Sequence, residues 1–284
     1  MRLKYLWPPL YQKLFPDDLL NFEIFETKAT CDHCAKAAPQ YKKADAYQNN
    51  LKCCTFQPYI PNFALGAILS DPSQRYEKAK ASIRQKLKRR EFLLPIGMVA
   101  SVRYQTEYMK NKKKIFGKDK DYLCSFYDNE LNQCGVWHYR GAVCTSFYCF
   151  SSYGETGQKF WSEVSDFQTY VEMALMEDAM VHLGYSPRQL SDNLRYIRRD
   201  PKDDPATVAE LKSWVLDKTL SKKLWADYHD NIEEFYKKCY QHVCRYDKTM
   251  YKEAIGEFGE KLERKLIKRL RSIENINHKN KENL

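Results

Sequence analysis

A mainly α-helical protein is predicted, with a cysteine-rich amino-terminal region of irregular loops and short strands (1–156) and a helical carboxy-terminal region (157–284) packed on it. Three observations carry this expectation. Glycine (10) and proline (11) are scarce in a chain of 284 residues with 21 tyrosines, which disfavours a turn-rich β sandwich. Apolar residues recur at helical spacing after about residue 160. Eight of the ten cysteines fall before residue 150, where that periodicity is absent.

The chain starts basic but breaks at Pro8 and Pro9 and turns acidic at Asp17 and Asp18, so it lacks the apolar stretch of a secretory signal. "IPNFALGAIL" reads as a short buried segment, and Ser70-Asp71-Pro72 punctuates the start of a basic helix. The longest apolar run, "FLLPIGMVASV", is interrupted by Pro95 and Gly97 and falls short of the about 20 residues a membrane span needs. A soluble, cytoplasmic protein is therefore expected, in which thiols stay reduced. Aromatic-rich pieces from Cys124 to Cys149 read as short strands or metal-bound loops.

"SSYGETGQK" (151–159) reads as a linker into the helical region. Val164, Phe167, Val171, Ala174 and Leu175 then share a helical stripe, with Gly184 placed as its carboxy-terminal cap. Ser186-Pro187 and Asp204-Pro205 each put proline at a first helical position, and Val208, Leu211 and Val215 share a face after the second. A long helix is expected from about Asp227 through Ile232, Phe235, Cys239, Val243 and Tyr246, and a last one through Ile255, Phe258, Leu262 and Leu266.

The net charge of +10 is concentrated between Arg75 and Lys120, where fifteen Lys or Arg face four acidic residues. Such a band is either a solvated helix face or a surface for nucleic acid or an acidic partner. No P-loop, GxGxxG or GxSxG motif is present, so nucleotide, dinucleotide and serine-hydrolase chemistry gain no support.

The cysteines form two groups. The first is Cys31 and Cys34 in "CDHC", followed after eighteen residues by the adjacent Cys53 and Cys54. The second is Cys124, Cys134, Cys144 and Cys149. Thiolates are soft ligands, and eight of them suit two four-thiolate sites or a cluster plus a second ion. The favoured cofactor is an iron–sulfur cluster, with zinc as the alternative. In an extended backbone the sulfurs of Cys53 and Cys54 point apart, so they are expected to serve different metal atoms or sites, each shared with cysteines of both groups, which requires the segments near Cys31 and Cys144 to meet. Trp137, Tyr139, Phe147 and Phe150 would wall a dry site. His33 and His138 are either ligands, donors to sulfur or exposed. Cys239 and Cys244 lie about 140° apart on a helix and read as ordinary residues.

The run Cys134-x-Val136-Trp137-x-x-Arg140-x-x-x-Cys144-x-x-Phe147, preceded by "CSFYDNELNQC", resembles the bacterial CxxCxxCC family, described as a zinc- or iron-chelating domain. The resemblance covers roughly residues 31–150, with Gly141 where the family has proline. It departs in the first group, which the family keeps closer together. It implies that Cys31, Cys34, Cys53, Cys54, Cys124, Cys134, Cys144 and Cys149 ligate metal, and that Arg140 bonds to a sulfur or to a nearby carbonyl. Flagellin lysine N-methylase resembles the family too. Three functions follow as expectations: a metal-binding cysteine-cluster protein, a metalloenzyme modifying a protein or small molecule (for example by methyl transfer or redox chemistry), and a nucleic-acid-binding module with a structural metal.

Overall fold

The computed structural model describes residues 2–26, 34–37, 42, 45–197 and 204–282, with side chains to residue 275. It is mainly helical, with twelve α-helices and five two-residue strands among the described residues. In chain order the helices and strands are α1 (Tyr11–Leu14), α2 (Asp17–Leu20), β1 (Ile60–Pro61), α3 (Asn62–Ser70), α4 (Glu77–Arg89), β2 (Leu93–Leu94), β3 (Gly97–Met98) and α5 (Val102–Ile115). There follow β4 (Tyr127–Asp128), β5 (Gln133–Cys134), α6 (Ala142–Ser146), α7 (Gly154–His182), α8 (Pro187–Leu194), α9 (Val208–Lys212), α10 (Lys218–Trp225), α11 (Ile232–Cys244) and α12 (Lys248–Glu282). None of these helices is long and apolar enough to cross a membrane.

Two compact units emerge, each assembled from separated stretches of chain. The first unit comprises Met1–Tyr41, His138–Leu175 and Arg245–Leu284; the second comprises Lys42–Trp137 and Met176–Cys244.

In the second unit α3, buried along almost its whole length, packs on α11. Gly66 makes that approach possible, since a Cβ there would stand 1.9 Å from the Tyr236 carbonyl oxygen. The apolar run from Phe92 folds back at Pro95-Ile96, so β2 and β3 pair antiparallel (Leu93 opposite Met98) and β1 adds on the far side of β3. Buried Asn62 fastens this turn by donating from Nδ2 to the Pro95 carbonyl (3.0 Å), and Tyr236 Oη donates to the Leu94 carbonyl (2.8 Å). The predicted α11 stripe holds in its middle, where Phe235, Cys239 and Val243 are fully buried; the helix starts at Ile232, which is half-buried, and ends before buried Tyr246.

In the first unit Phe15 contacts the rings of Trp7, Tyr11 and Phe167 at 5.0–5.1 Å between centroids, a dense aromatic core under α7. Trp7 Nε1 donates to Gln168 Oε1 (3.0 Å), satisfying the one polar atom that burying an indole strands. On α12, Arg269 grips Glu163 of α7 through two hydrogen bonds of 3.0 and 2.8 Å.

Several local expectations change. Residues 154–159, read as linker, are the first turns of α7, because Ser151 Oγ accepts from Tyr153 N (3.1 Å) and sets the chain for the helix. Gly184 does take the left-handed conformation (φ 90°) that ends it. Ser186-Pro187 opens α8 through a capping box with Gln189. Asp204-Pro205 opens nothing. Thr207 caps α9 instead, Glu210 closes the box, and the helix stops at Lys212 with Val208 68% exposed. The α12 stripe holds at Ile255 and Leu266, which are buried together with Leu270 and Ile273, and Leu262 is half-buried; Gly256 (φ 56°, ψ −170°) kinks the helix and Phe258 just beyond it is exposed.

Candidate metal centre

Cys53 and Cys54 sit in a turn and not in an extended strand. Lys52 is in the left-handed region (φ 53°), and Lys52 N, Cys54 N and Phe56 N donate back to Gln48, Leu51 and Cys53 carbonyls. The premise of an extended backbone therefore fails here. A non-glycine residue at positive φ is uncommon, and surrounding contacts must hold it. Buried Lys52 supplies one, donating from Nζ to the Asn132 carbonyl (2.6 Å). Thr55 Oγ1 supplies another by accepting from Gly117 N (2.7 Å).

This turn docks on the segment carrying the next two cysteines. Cys124 N donates to the Cys54 carbonyl (2.7 Å), and Tyr127 N to the Cys124 carbonyl (2.9 Å). From there the chain enters the β4–β5 hairpin, where Cys134 pairs with Tyr127. Asp128 shapes the hairpin turn by accepting from Glu130 N and Leu131 N, and Lys78 bonds to Asp128 and Glu130 from outside. Four thiols from two distant stretches of sequence thus share one neighbourhood inside the second unit.

Their electrostatics follow from that crowding. The Cys54 thiol is pushed well up, first by its hydrogen bond with Cys53, then by burial, then by the charge that Cys53, Cys124 and Cys134 would carry as thiolates. Burial raises the Cys124 thiol to about 11, opposed by the Phe126 backbone N–H directed at its sulfur. A cation among them would reverse the repulsion, because a coordinating thiol gives up its proton outright. Among the described residues, no three His, Cys, Asp or Glu side chains are already arranged as a ligand shell.

The walls differ from those expected. Phe126 and Tyr127 are buried on the hairpin, and Tyr104 and Tyr108 approach from α5; Tyr104 Oη donates to the Thr55 carbonyl (3.0 Å). Phe147 is 41% exposed, and Trp137, Tyr139 and Phe150 are half-buried. Sequence reasoning missed Lys52, Thr55, Tyr104 and Tyr108. Only the tyrosine pair, four apart on one helical face, left a readable trace.

The other candidate ligands belong to the first unit. Cys31 and His33 lie outside the described residues, and His138 is exposed. Cys34, Cys144 and Cys149 are half-buried. Lys36 Nζ stands 5.0 Å over the Phe150 ring, which brings the segment of Cys34 beside that of Cys149. Arg140, nearly buried, donates from Nη1 to the Cys144 carbonyl (3.2 Å), the carbonyl alternative among those expected of it. Cys239 is buried and Cys244 half-buried on α11.

Beneath α6, Ala142 N donates to Glu172 Oε2 (3.2 Å) and Gln168 Nε2 to Glu172 Oε1 (2.9 Å). Burial raises the Glu172 carboxyl to about 8, outweighing the opposing hydrogen bonds from Gln168, Ala142 and Tyr11. Its folded-state pKa thus exceeds the usual 4.5, so its protonated form stabilises the fold. That contribution is complete below the unfolded value and is lost as pH rises through the folded one. Stability is expected to fall by on the order of 3 kcal/mol between pH 5 and 8, and Glu172→Gln to flatten the decline. Denaturant titrations across that range measure it; an equal slope in the variant would assign the decline elsewhere.

Part of the basic band is paired, within itself and with Glu233 of α11. Lys80 pairs with Glu77, Arg84 with Glu233, Lys86 with Glu91 and Arg103 with Glu107, at 2.6–2.9 Å. Lys110, Lys112, Lys113 and Lys114, exposed near the carboxy-terminal end of α5, have no acidic partner within ion-pair distance among the described residues.

Compared with protein-family models, curated proteins and solved structures, the chain matches none.

Proposed function

We propose that this chain is a metal-binding cysteine-cluster protein whose Cys53, Cys54, Cys124 and Cys134 hold an iron–sulfur cluster, or zinc, in the second unit. Cys31, Cys34, Cys144 and Cys149 form a further ligand set carried by the first unit. The observation that supports the reading most is the docking of the Cys53–Cys54 turn on Cys124 through the 2.7 Å backbone bond, beside the hairpin that carries Cys134. The donor chemistry fits: four soft sulfurs, one already addressed by a backbone N–H, under aromatic cover. The resemblance to the CxxCxxCC family points the same way. Gly141, which stands where that family has proline, holds φ −69°, the value a proline ring imposes, so the exchange leaves the backbone course unchanged.

An iron–sulfur cluster would supply one-electron chemistry, whereas zinc would staple the two segments. Lys52 fixes the turn and Phe126 N–H favours the ionised sulfur of Cys124. Anaerobic purification followed by elemental analysis and a visible spectrum tests the reading. Brown protein with iron and acid-labile sulfide is expected. Colourless protein with stoichiometric zinc selects the alternative, and protein with essentially no metal refutes both.

We infer that a role for the basic band in binding nucleic acid would centre on α5, where Lys110, Lys112, Lys113 and Lys114 have no acidic partner among the described residues. If it operates, affinity for duplex DNA or RNA falls steeply with salt, and neutralising Lys112, Lys113 and Lys114 flattens that slope. No binding at about 50 mM salt, where the electrostatic contribution is large, removes this role.

A further inference from the structure

In the second unit a file of aromatic rings runs outward from the cysteine turn. Phe56, two residues beyond Cys54, meets the Tyr108 ring at 5.6 Å. Tyr108 stacks on Tyr104 (5.4 Å, 16° between planes), and Tyr104 meets Tyr122 at 5.7 Å. Tyr122 meets Trp214 at 6.3 Å, and Trp214 is 40% exposed. The inner end is also tied by hydrogen bonds: Tyr104 Oη donates to the Thr55 carbonyl and accepts from Gln57 N, both at 3.0 Å.

The polar groups along the file are not those of an inert core. Tyr122 Oη donates to Glu107 Oε2 (2.7 Å), so the phenol has a carboxylate in place to receive its proton. The Arg103 guanidinium, fixed by Glu107 at 2.9 Å, lies 4.7 Å over the Trp214 ring. A cation at that face disfavours positive charge on the indole, which drives an oxidising equivalent inward.

We propose that Trp214, Tyr122, Tyr104 and Tyr108 form a relay carrying single oxidising equivalents from the surface to the cysteine group of Cys53, Cys54, Cys124 and Cys134. The inference rests on the reading of that group as a thiolate centre, the most easily oxidised point on the file. A one-electron oxidant in solution takes an electron from Trp214. Trp214 regains it from Tyr122, whose proton passes to Glu107. Tyr122 is restored in turn by an electron arriving through the stacked Tyr104 and Tyr108, and takes its proton back from Glu107. In sum the oxidant gains one electron and the cysteine group loses one; a sulfur that starts protonated also releases its proton to water. The surface tryptophan would act as the receiver of a redox sensor.

The relay is tested on the purified protein with photogenerated tris(bipyridine)ruthenium(III) as oxidant. Transient absorption follows the aromatic radicals, and mass spectrometry follows alkylatable thiol at the four cysteines. Wild type is expected to lose thiol as the tryptophan radical decays, two thiols closing to one disulfide with release of two protons for every two equivalents delivered. Tyr122→Phe, which keeps the ring and removes the phenol, should prolong that radical and reduce thiol loss several-fold at equal dose. Trp214→Phe should abolish the fast-decaying signal. Unchanged radical lifetime and thiol loss in both variants would overturn the relay. Metal content measured on the same preparations reports on the thiolate-centre reading alone, so the two ideas fail separately.

Discussion

On the proposed reading of Cys134 as a ligand, replacing it by serine is expected to strip metal from the second unit and to unfold the cysteine turn and its hairpin with it. A structural thiolate site lends its binding free energy to folding, on the order of 10 kcal/mol for zinc at neutral pH. Removing one of four ligands forfeits much of that, and the three remaining thiols would be left crowded without a balancing charge. The metal-to-protein ratio and the thermal midpoint should fall together. Cys239→Ser supplies the contrast: Cys239 is fully buried on α11, so the variant loses some stability from burying a hydroxyl yet keeps its metal. Equal metal content in Cys134→Ser and wild type would remove Cys134 from the ligand set.

The second large effect needs no metal. Gly66→Ala would place a methyl group 1.9 Å from the Tyr236 carbonyl oxygen and 2.6 Å from its carbon. These are backbone atoms inside α11, so no side chain can rotate away, and α3 and α11 must move apart. A cost of about 3 kcal/mol is expected, at the upper end for overpacking a core. Gly184→Ala is the control: its φ of 90° is strained for alanine, but no atom lies within 4 Å of the added Cβ. It should cost about 1 kcal/mol. A lower denaturant midpoint at unchanged slope reads both, and equal losses would discount the helix contact.

What the sequence disclosed, and what it hid, sorts by the range of the interaction. The helical stripe of α11 and the caps at Ser186 and Gly184 depend on neighbours within a few residues, and they were readable. Asp204-Pro205 was misread although Thr207-x-x-Glu210, a capping-box pattern, stood just downstream. On α12 the stripe was readable at Ile255 and Leu266 but not at Phe258, which follows the kink at Gly256, because periodicity assumes an unbroken helix. The paired strands are two residues long, too short for alternation to register. The cysteines were visible as candidate ligands and a mixing of the two groups was expected, but not which members meet. The meeting of Cys54 with Cys124 rests on tertiary contacts, and the bend at Lys52 has no glycine to announce it.

The interleaving of the two units has a consequence for biosynthesis. The chain passes between them four times, and the first unit begins near the amino terminus but is completed only by the stretch after Arg245. At about 5–20 residues per second of translation, its opening segment waits roughly 10–40 s for its closing helix. The second unit has all four of its candidate ligands on the growing chain before α11, the partner of α3, has been made. Nascent thiols would therefore stand exposed on a ribosome-bound intermediate. Arresting translation just before α11 should yield chains whose cysteines react freely with alkylating reagents, whereas full-length chains should resist.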